Sequence, residues 1–238
     1  TCLLDDKGDS VYAFMIISIL AILSALSLMF IFKDTKFSNY QNSKFSNNYN
    51  LLITLIVVVS LGTAFYSAIA DVGYYTNPFI LKFLFILATI CFISFIIAQT
   101  YLQENFYKNK YILSYAVLPL IFLLFRLITV FLFYTNNSHR INTPLEILLI
   151  ACYTLFFVYY SRVLSGRNEM KMLFITGIIS SFVAAVTIVP PILTVRIPPV
   201  YNGNTIAFFL YSFMDLSIGI YIFVTVFKYT KIENENIK

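Results

Sequence analysis

A chain of 238 residues that is 60% hydrophobic, only 11% charged and has mean hydropathy +0.83 carries a membrane composition rather than that of a soluble domain. Almost every residue lies in or beside an apolar run, which excludes a separate soluble domain and leaves a single membrane domain, residues 1–238. The net charge of +5 is not a nucleic-acid signature, because the basic residues sit in short loops where topology accounts for them.

The chain opens on Thr1, which reads as a fragment, a processed product or a displaced start. Residues 1–10 hold three aspartates and one lysine. A secretory signal has a basic leading region and a shorter apolar core than residues 11–32, so that run is expected to be the first transmembrane helix. Six further runs follow at about 51–70, 79–101, 111–134, 145–164, 170–193 and 206–229, each near the ~20 residues that cross the hydrocarbon. Asn77-Pro78 and Thr143-Pro144 place a capping side chain before a proline, a helix-start signal. Ser165-Gly166 closes the fifth run. Pro190-Pro191 and the stretch Pro198-Pro199-Val-Tyr-Asn-Gly203 separate the sixth from the seventh, with Pro190 either kinking the sixth helix or ending it early. Trp is absent while Tyr (18) and Phe (25) abound, so tyrosine is the expected interfacial aromatic. The fold class that follows is all-α: an integral membrane bundle of seven transmembrane helices.

Orientation comes from the basic residues. Lys33, Lys36, Lys44, Lys108, Lys110, Arg162, Arg167, Lys171, Lys228, Lys231 and Lys238 share one side, eleven in all; Lys7, Lys82, Arg140 and Arg196 make four on the other. The positive-inside rule then predicts the N-terminus outside and the C-terminus in the cytoplasm. In the first cytoplasmic loop, Lys36-Phe-Ser-Asn-Tyr-Gln-Asn42 is nearly repeated as Lys44-Phe-Ser-Asn-Asn-Tyr-Asn50. This is either a slipped duplication in a solvated loop or a partner-binding loop. The lack of any larger repeat argues against transporters built from inverted halves.

Polar groups inside the membrane carry the functional signal. Small and hydroxyl side chains mark the faces on which helices pack. Ser60, Thr63, Ser67 and Asp71 form such a stripe on the second span, Gly177, Ser181 and Ala185 on the sixth, and Tyr211, Ser212, Asp215 and Gly219 on the seventh. Each stripe reads as close packing, or as the lining of a ligand or ion site. Within Leu118-Pro-Leu-Ile-Phe-Leu-Leu-Phe-Arg126-Leu-Ile-Thr-Val-Phe-Leu-Phe-Tyr134, Arg126 lies about 12 Å below the outer end of its span at 1.5 Å per residue. Asp215 lies about 13–14 Å below the outer end of the seventh. A lone buried charge is costly, so mutual pairing of Arg126 with Asp215 is the expected arrangement. The pair reads as a salt bridge fixing two helices, or as the floor of a polar cavity that binds an anion or a proton; the further alternative is Arg126 reaching outward to the headgroups. Asp71, Lys82, Thr129, Tyr211 and Ser212 are candidate pocket-lining residues. Interfacial solvation is the plainer account of Asp71 and Lys82. Thr143 and Glu146, with Pro144 between them, fit a capping box at the start of the fifth span. The ionisable groups concentrate in the outer half, so any pocket opens outward.

Known intramembrane chemistries find no residues here. A single histidine, His139, excludes a His-Glu-x-x-His zinc site. There is no Gly-x-Ser-x-Gly elbow, Asp71 and Asp215 lack the flanking motifs of intramembrane aspartyl proteases, and the seventh span has no mid-helix lysine for a retinal. Phosphate-loop and dinucleotide motifs are absent. Cys2, Cys91 and Cys152 form no framework, and the latter two behave as small hydrophobes. Asn136-Asn137-Ser138 is a glycosylation sequon, relevant only in a secretory eukaryotic setting. No enzyme activity, cofactor or metal is expected.

The run from Leu118-Pro119 through Arg126 to Tyr134, together with Arg162-Val-Leu-Ser-Gly166 and Thr187-Ile-Val-Pro190, resembles uncharacterised multi-span membrane proteins of low-GC Gram-positive bacteria. The resemblance covers about the middle third of the chain and implies a bacterial inner membrane, but no activity. The Ile, Phe, Tyr, Asn and Lys bias suits AT-rich coding. Two functional classes remain: a small-ligand binding or sensory module with an outward-opening pocket, and a permease or substrate-binding component of a transporter. A structural membrane-complex subunit is the third reading. Beyond the lipid bilayer, the expected partner is a membrane or cytoplasmic protein reached through the cytoplasmic loops and the tail 228–238, which is too short to hold a signalling domain of its own.

Overall fold

The computed structural model describes residues 16, 19–20, 23–24, 27–28, 30, 36–39, 54–59, 61–62, 79–101, 117–136, 143–165, 167, 169–194 and 205–233. Five long helices dominate: α1 (Phe79–Tyr101), α2 (Leu118–Asn136), α3 (Thr143–Leu164), α4 (Met170–Thr194) and α5 (Thr205–Tyr229). Residues 54–59 and 61–62 are helical as well, as are the described positions between 16 and 30. Three segments are long and apolar enough to cross a membrane, Leu145–Leu164, Met170–Val189 and Phe209–Phe227. They carry large apolar side chains on their outer faces, Leu155, Phe182 and Phe223 among them, and are the mark of a membrane protein.

Consecutive helices pack as neighbours, α1 on α2, α2 on α3, α3 on α4 and α4 on α5. The core centres on α3. Its Phe157 ring meets Phe92 of α1 edge-on at 5.5 Å and stacks near Tyr221 of α5 at 6.5 Å. Tyr160 reaches Phe95 at 6.3 Å. Such ring pairs add about 0.5–1.5 kcal/mol each beyond burial. Between α4 and α5 the approach is closest, because glycines leave out the Cβ. A Cβ on Gly219 would meet Cβ of Ala184 at 2.8 Å, and one on Gly177 would run into Val226. The Ser181 hydroxyl donates to the Gly219 carbonyl at 3.1 Å, and Ser180 donates to the Cys152 carbonyl of α3 at 2.9 Å. Small and hydroxyl residues thus join three helices, as expected where lipid offers no hydrophobic drive to pack.

Several sequence expectations meet the structure differently. The helix in the fourth run is described only from Leu118, and residues 111–116 lie outside the described set. Pro190 does not end the sixth helix: α4 continues through Pro190-Pro191 to Thr194. Both prolines fall in its last turns, so two N–H donors are missing but only a few residues of helix follow them. The second-span stripe of Ser60, Thr63, Ser67 and Asp71 lies wholly outside the described residues. The all-helical expectation also misses a small sheet. Lys36–Asn39 (β1) pairs antiparallel with Thr230–Glu233 (β2), setting Lys36 opposite Glu233, Phe37 opposite Ile232, Ser38 opposite Lys231 and Asn39 opposite Thr230. Beyond the end of α5 the backbone groups need new partners, and the loop supplies them.

Candidate functional site

The site is built on a single cation. Arg126, in the middle of α2, has no glycine or proline beside it and stays helical; its side chain is only 1% exposed. Such a group is stable in a dry interior only when its donors are matched. The guanidinium grips Asp215 of α5 with two parallel hydrogen bonds, Nη1 to Oδ1 and Nη2 to Oδ2, the latter at 2.7 Å. This forked geometry is the strong form of the arginine–carboxylate pair. Nη2 also donates to Oε1 of Glu146 on α3 at 3.1 Å. Asp215 is nearly buried and the Glu146 side chain is 15% exposed. The Tyr153 hydroxyl donates to the backbone carbonyl of Asp215 at 2.6 Å. One guanidinium therefore ties three helices together, and a fully buried tyrosine of α3 fixes the backbone of α5 at the same level.

Arg126 and Asp215 touch. Tyr211 and Ser212, one turn before Asp215, are buried on the same side of α5. Lys82 lies in the first turn of α1 and Thr129 in α2, their side chains outside the described set. Glu146 has a contact beyond the expected one. As the fourth residue of α3 it stands where a capping glutamate would, yet its carboxylate also receives the Arg126 guanidinium. The helix itself begins at Thr143, within one residue of the cap position assigned to it, and that side chain is outside the described set.

No family model, curated protein or solved structure matches this chain. What the site can do must be read from its chemistry alone. The sequence reading overlooked two contributors, Glu146 as a partner of Arg126 and Tyr153. For Glu146 there was a signal: an acidic residue at the head of the span that follows the arginine's own. For Tyr153 there was none, because one buried tyrosine among eighteen carries no mark.

A cavity of about 400 Å³ opens elsewhere, between α4 and α5, lined by Ile178, Phe182, Leu216, Ile220 and Phe223 together with Ser181 and Gly219. Its wall is almost wholly apolar, and neither Arg126 nor Asp215 lines it. Among the described residues no cluster of three His, Cys, Asp or Glu could hold a metal ion.

Proposed function

We propose that the chain is a seven-span protein of the bacterial cell membrane, N-terminus outside and C-terminus cytoplasmic, that binds a small anionic ligand at the Arg126 cluster and reports it to a partner inside. The observation that carries this reading is continuity: Asp215 stands on α5, and α5 runs without a break into β2. From Asp215 to Tyr229 is about 21 Å at 1.5 Å per residue. A carboxylate or phosphate presents the same two oxygens to the guanidinium as Asp215 does, so it competes for the same fork. Displacing Asp215 frees α5 from α2, and the tail senses the change. The eleven-to-four asymmetry of basic residues supports the orientation. The β1–β2 sheet fits the topology in either orientation, since it joins two regions that lie on one side.

A second reading, a structural subunit of a membrane complex, is favoured by the way two carboxylates already occupy the guanidinium. The permease reading needs the same ligand together with its movement. Purified protein screened by native mass spectrometry and thermal shift against small carboxylates and phosphates separates these. A bound anion lost in Arg126→Gln supports the sensor, and accumulation of that anion in proteoliposomes moves the assignment to transport. An intact Arg126→Gln protein that binds the same anion as well as wild type overturns the site.

A further inference from the structure

The cavity between α4 and α5 is a groove that opens where Phe182, Ile220 and Phe223 are exposed. Ser181 is the one polar side chain in its lining, and its hydroxyl is already shared between the carbonyls of Gly177 and Gly219, at 2.9 and 3.1 Å. We propose that the groove holds an acyl chain of an anionic phospholipid whose headgroup is bound at the start of α4 by Lys171 and Arg167. The groove stands apart from the Arg126 cluster, since neither Arg126 nor Asp215 lines it.

Size and polarity select the hydrocarbon. The lining runs from Ile178 to Ala185 on α4 and from Leu216 to Phe223 on α5, a length of about 10 Å at 1.5 Å per residue. A helix 10–12 Å across would fill about 800–1,100 Å³ over that length. The groove offers about 400 Å³, so a helix could rest only on its rim, whereas a single file of methylenes enters. A polar group inside would go unmatched and would cost free energy. The three helices that are apolar enough to cross a membrane include both walls, so the bilayer itself supplies the occupant.

Depth and charge select the headgroup. Phe182 is the middle residue of α4 (Met170–Thr194). Lys171 precedes it by eleven residues, which is about 16 Å along the axis. Half of the ~30 Å hydrocarbon core is about 15 Å, so Lys171 stands at headgroup level when the groove lies near the midplane. Lys171, Ile178 and Ala185 are seven residues apart, and a helix face drifts only about 20° over that spacing, so Lys171 shares the stripe that forms the groove. Arg167 is exposed in the turn before α4. Between residues 162 and 172 the acidic residue is Glu169, which Arg162 engages at 3.3 Å, and the stretch keeps a surplus of two positive charges. An ammonium has three donors, so Lys171 can hold a phosphate oxygen beside another partner. A zwitterionic headgroup brings a cation of its own to the same place, which favours the anionic lipid.

The full chain in detergent, given phosphatidylglycerol or phosphatidylcholine with the same acyl chains, tests this by native mass spectrometry. Wild type should retain phosphatidylglycerol several-fold better. Lys171→Gln should lower that retention about five-fold and leave phosphatidylcholine unchanged. Ala185→Phe, which fills the groove, should lower retention of both lipids, whereas Leu155→Phe on the exposed face of α3 should lower neither. In wild type, phosphatidylglycerol with a diazirine at the end of its acyl chain should label residues 178–185 and 216–223 well above the surroundings of Leu155. Glycerol phosphate without acyl chains should not be retained. Equal retention of the two lipids, no effect of Lys171→Gln, or label as dense at Leu155 as in the groove overturns the site. So does retention of glycerol phosphate alone, or a wild-type dimer that Ala185→Phe dissociates.

Discussion

At the residue scale the molecule turns on how a guanidinium survives away from water. Removing one member of a buried, hydrogen-bonded ion pair leaves the other uncompensated, at a cost of about 3–5 kcal/mol. Arg126→Leu and Asp215→Leu should each lower unfolding stability in detergent by roughly that amount. The double variant should lose less than the sum, and additive losses would show that the pair is not coupled. Glu146 is partly exposed and shares one hydrogen bond, so Glu146→Gln should cost about 1 kcal/mol, measured in the same way. Tyr153→Phe, which deletes the hydroxyl that donates to the Asp215 carbonyl, should also cost about 1 kcal/mol. Depth along two apolar runs led from the sequence to Arg126 and Asp215, since each charge had few places to go. Glu146 was assigned to a cap because the Thr-Pro-x-Glu pattern accounts for a glutamate locally. Nothing local tells that the long arginine side chain of the preceding helix reaches it.

At the element scale α4 and α5 are held by what is missing from their shared face. Gly219→Ala sets a methyl group 2.8 Å from the Ala184 Cβ, which sits too close to its backbone to move aside. Forced spreading of the two helices should cost about 1–3 kcal/mol, seen as a lower unfolding temperature in detergent. Adding Ala184→Gly should restore most of that loss. If the double variant is no more stable than Gly219→Ala alone, the Ala184 contact is not what makes the glycine necessary. The Gly177, Ser181, Ala185 stripe was visible in the sequence as a packing face, and the structure divides it. Gly177 and Ser181 face the neighbouring helices, whereas Ala185 is exposed at the rim of the apolar cavity. Spacing gives the stripe, but only the crossing of the helices decides where along it the contact ends.

At the scale of the whole molecule the sheet constrains topology more strictly than hydropathy does. Residues 36–39 and 230–233 exchange backbone hydrogen bonds, so the loop that follows the first apolar run and the tail that follows α5 must lie on one side of the membrane. Reporters inserted after Gln41 and fused after Lys238 should therefore give the same side, and the positive-inside rule names it as the cytoplasm. Opposite readings from the two reporters would be incompatible with the sheet; two extracytoplasmic readings would keep the sheet and reverse the orientation.

The sequence by itself determined the class of solvent this chain is built for, the approximate extent of the long helices described from Phe79 onward and the two charges that have to meet. All three follow from rules that act on single residues or single runs: the cost of a polar group in hydrocarbon, the length of chain that crosses it, and the rise of a helix. Tertiary structure alone decided that Glu146 and Tyr153 join Arg126 and Asp215, that α4 continues past its prolines, and that the tail pairs with a loop almost two hundred residues earlier. Those outcomes depend on which surfaces meet, and the partner of a backbone hydrogen bond or a long side chain is set by neighbours in space rather than in sequence.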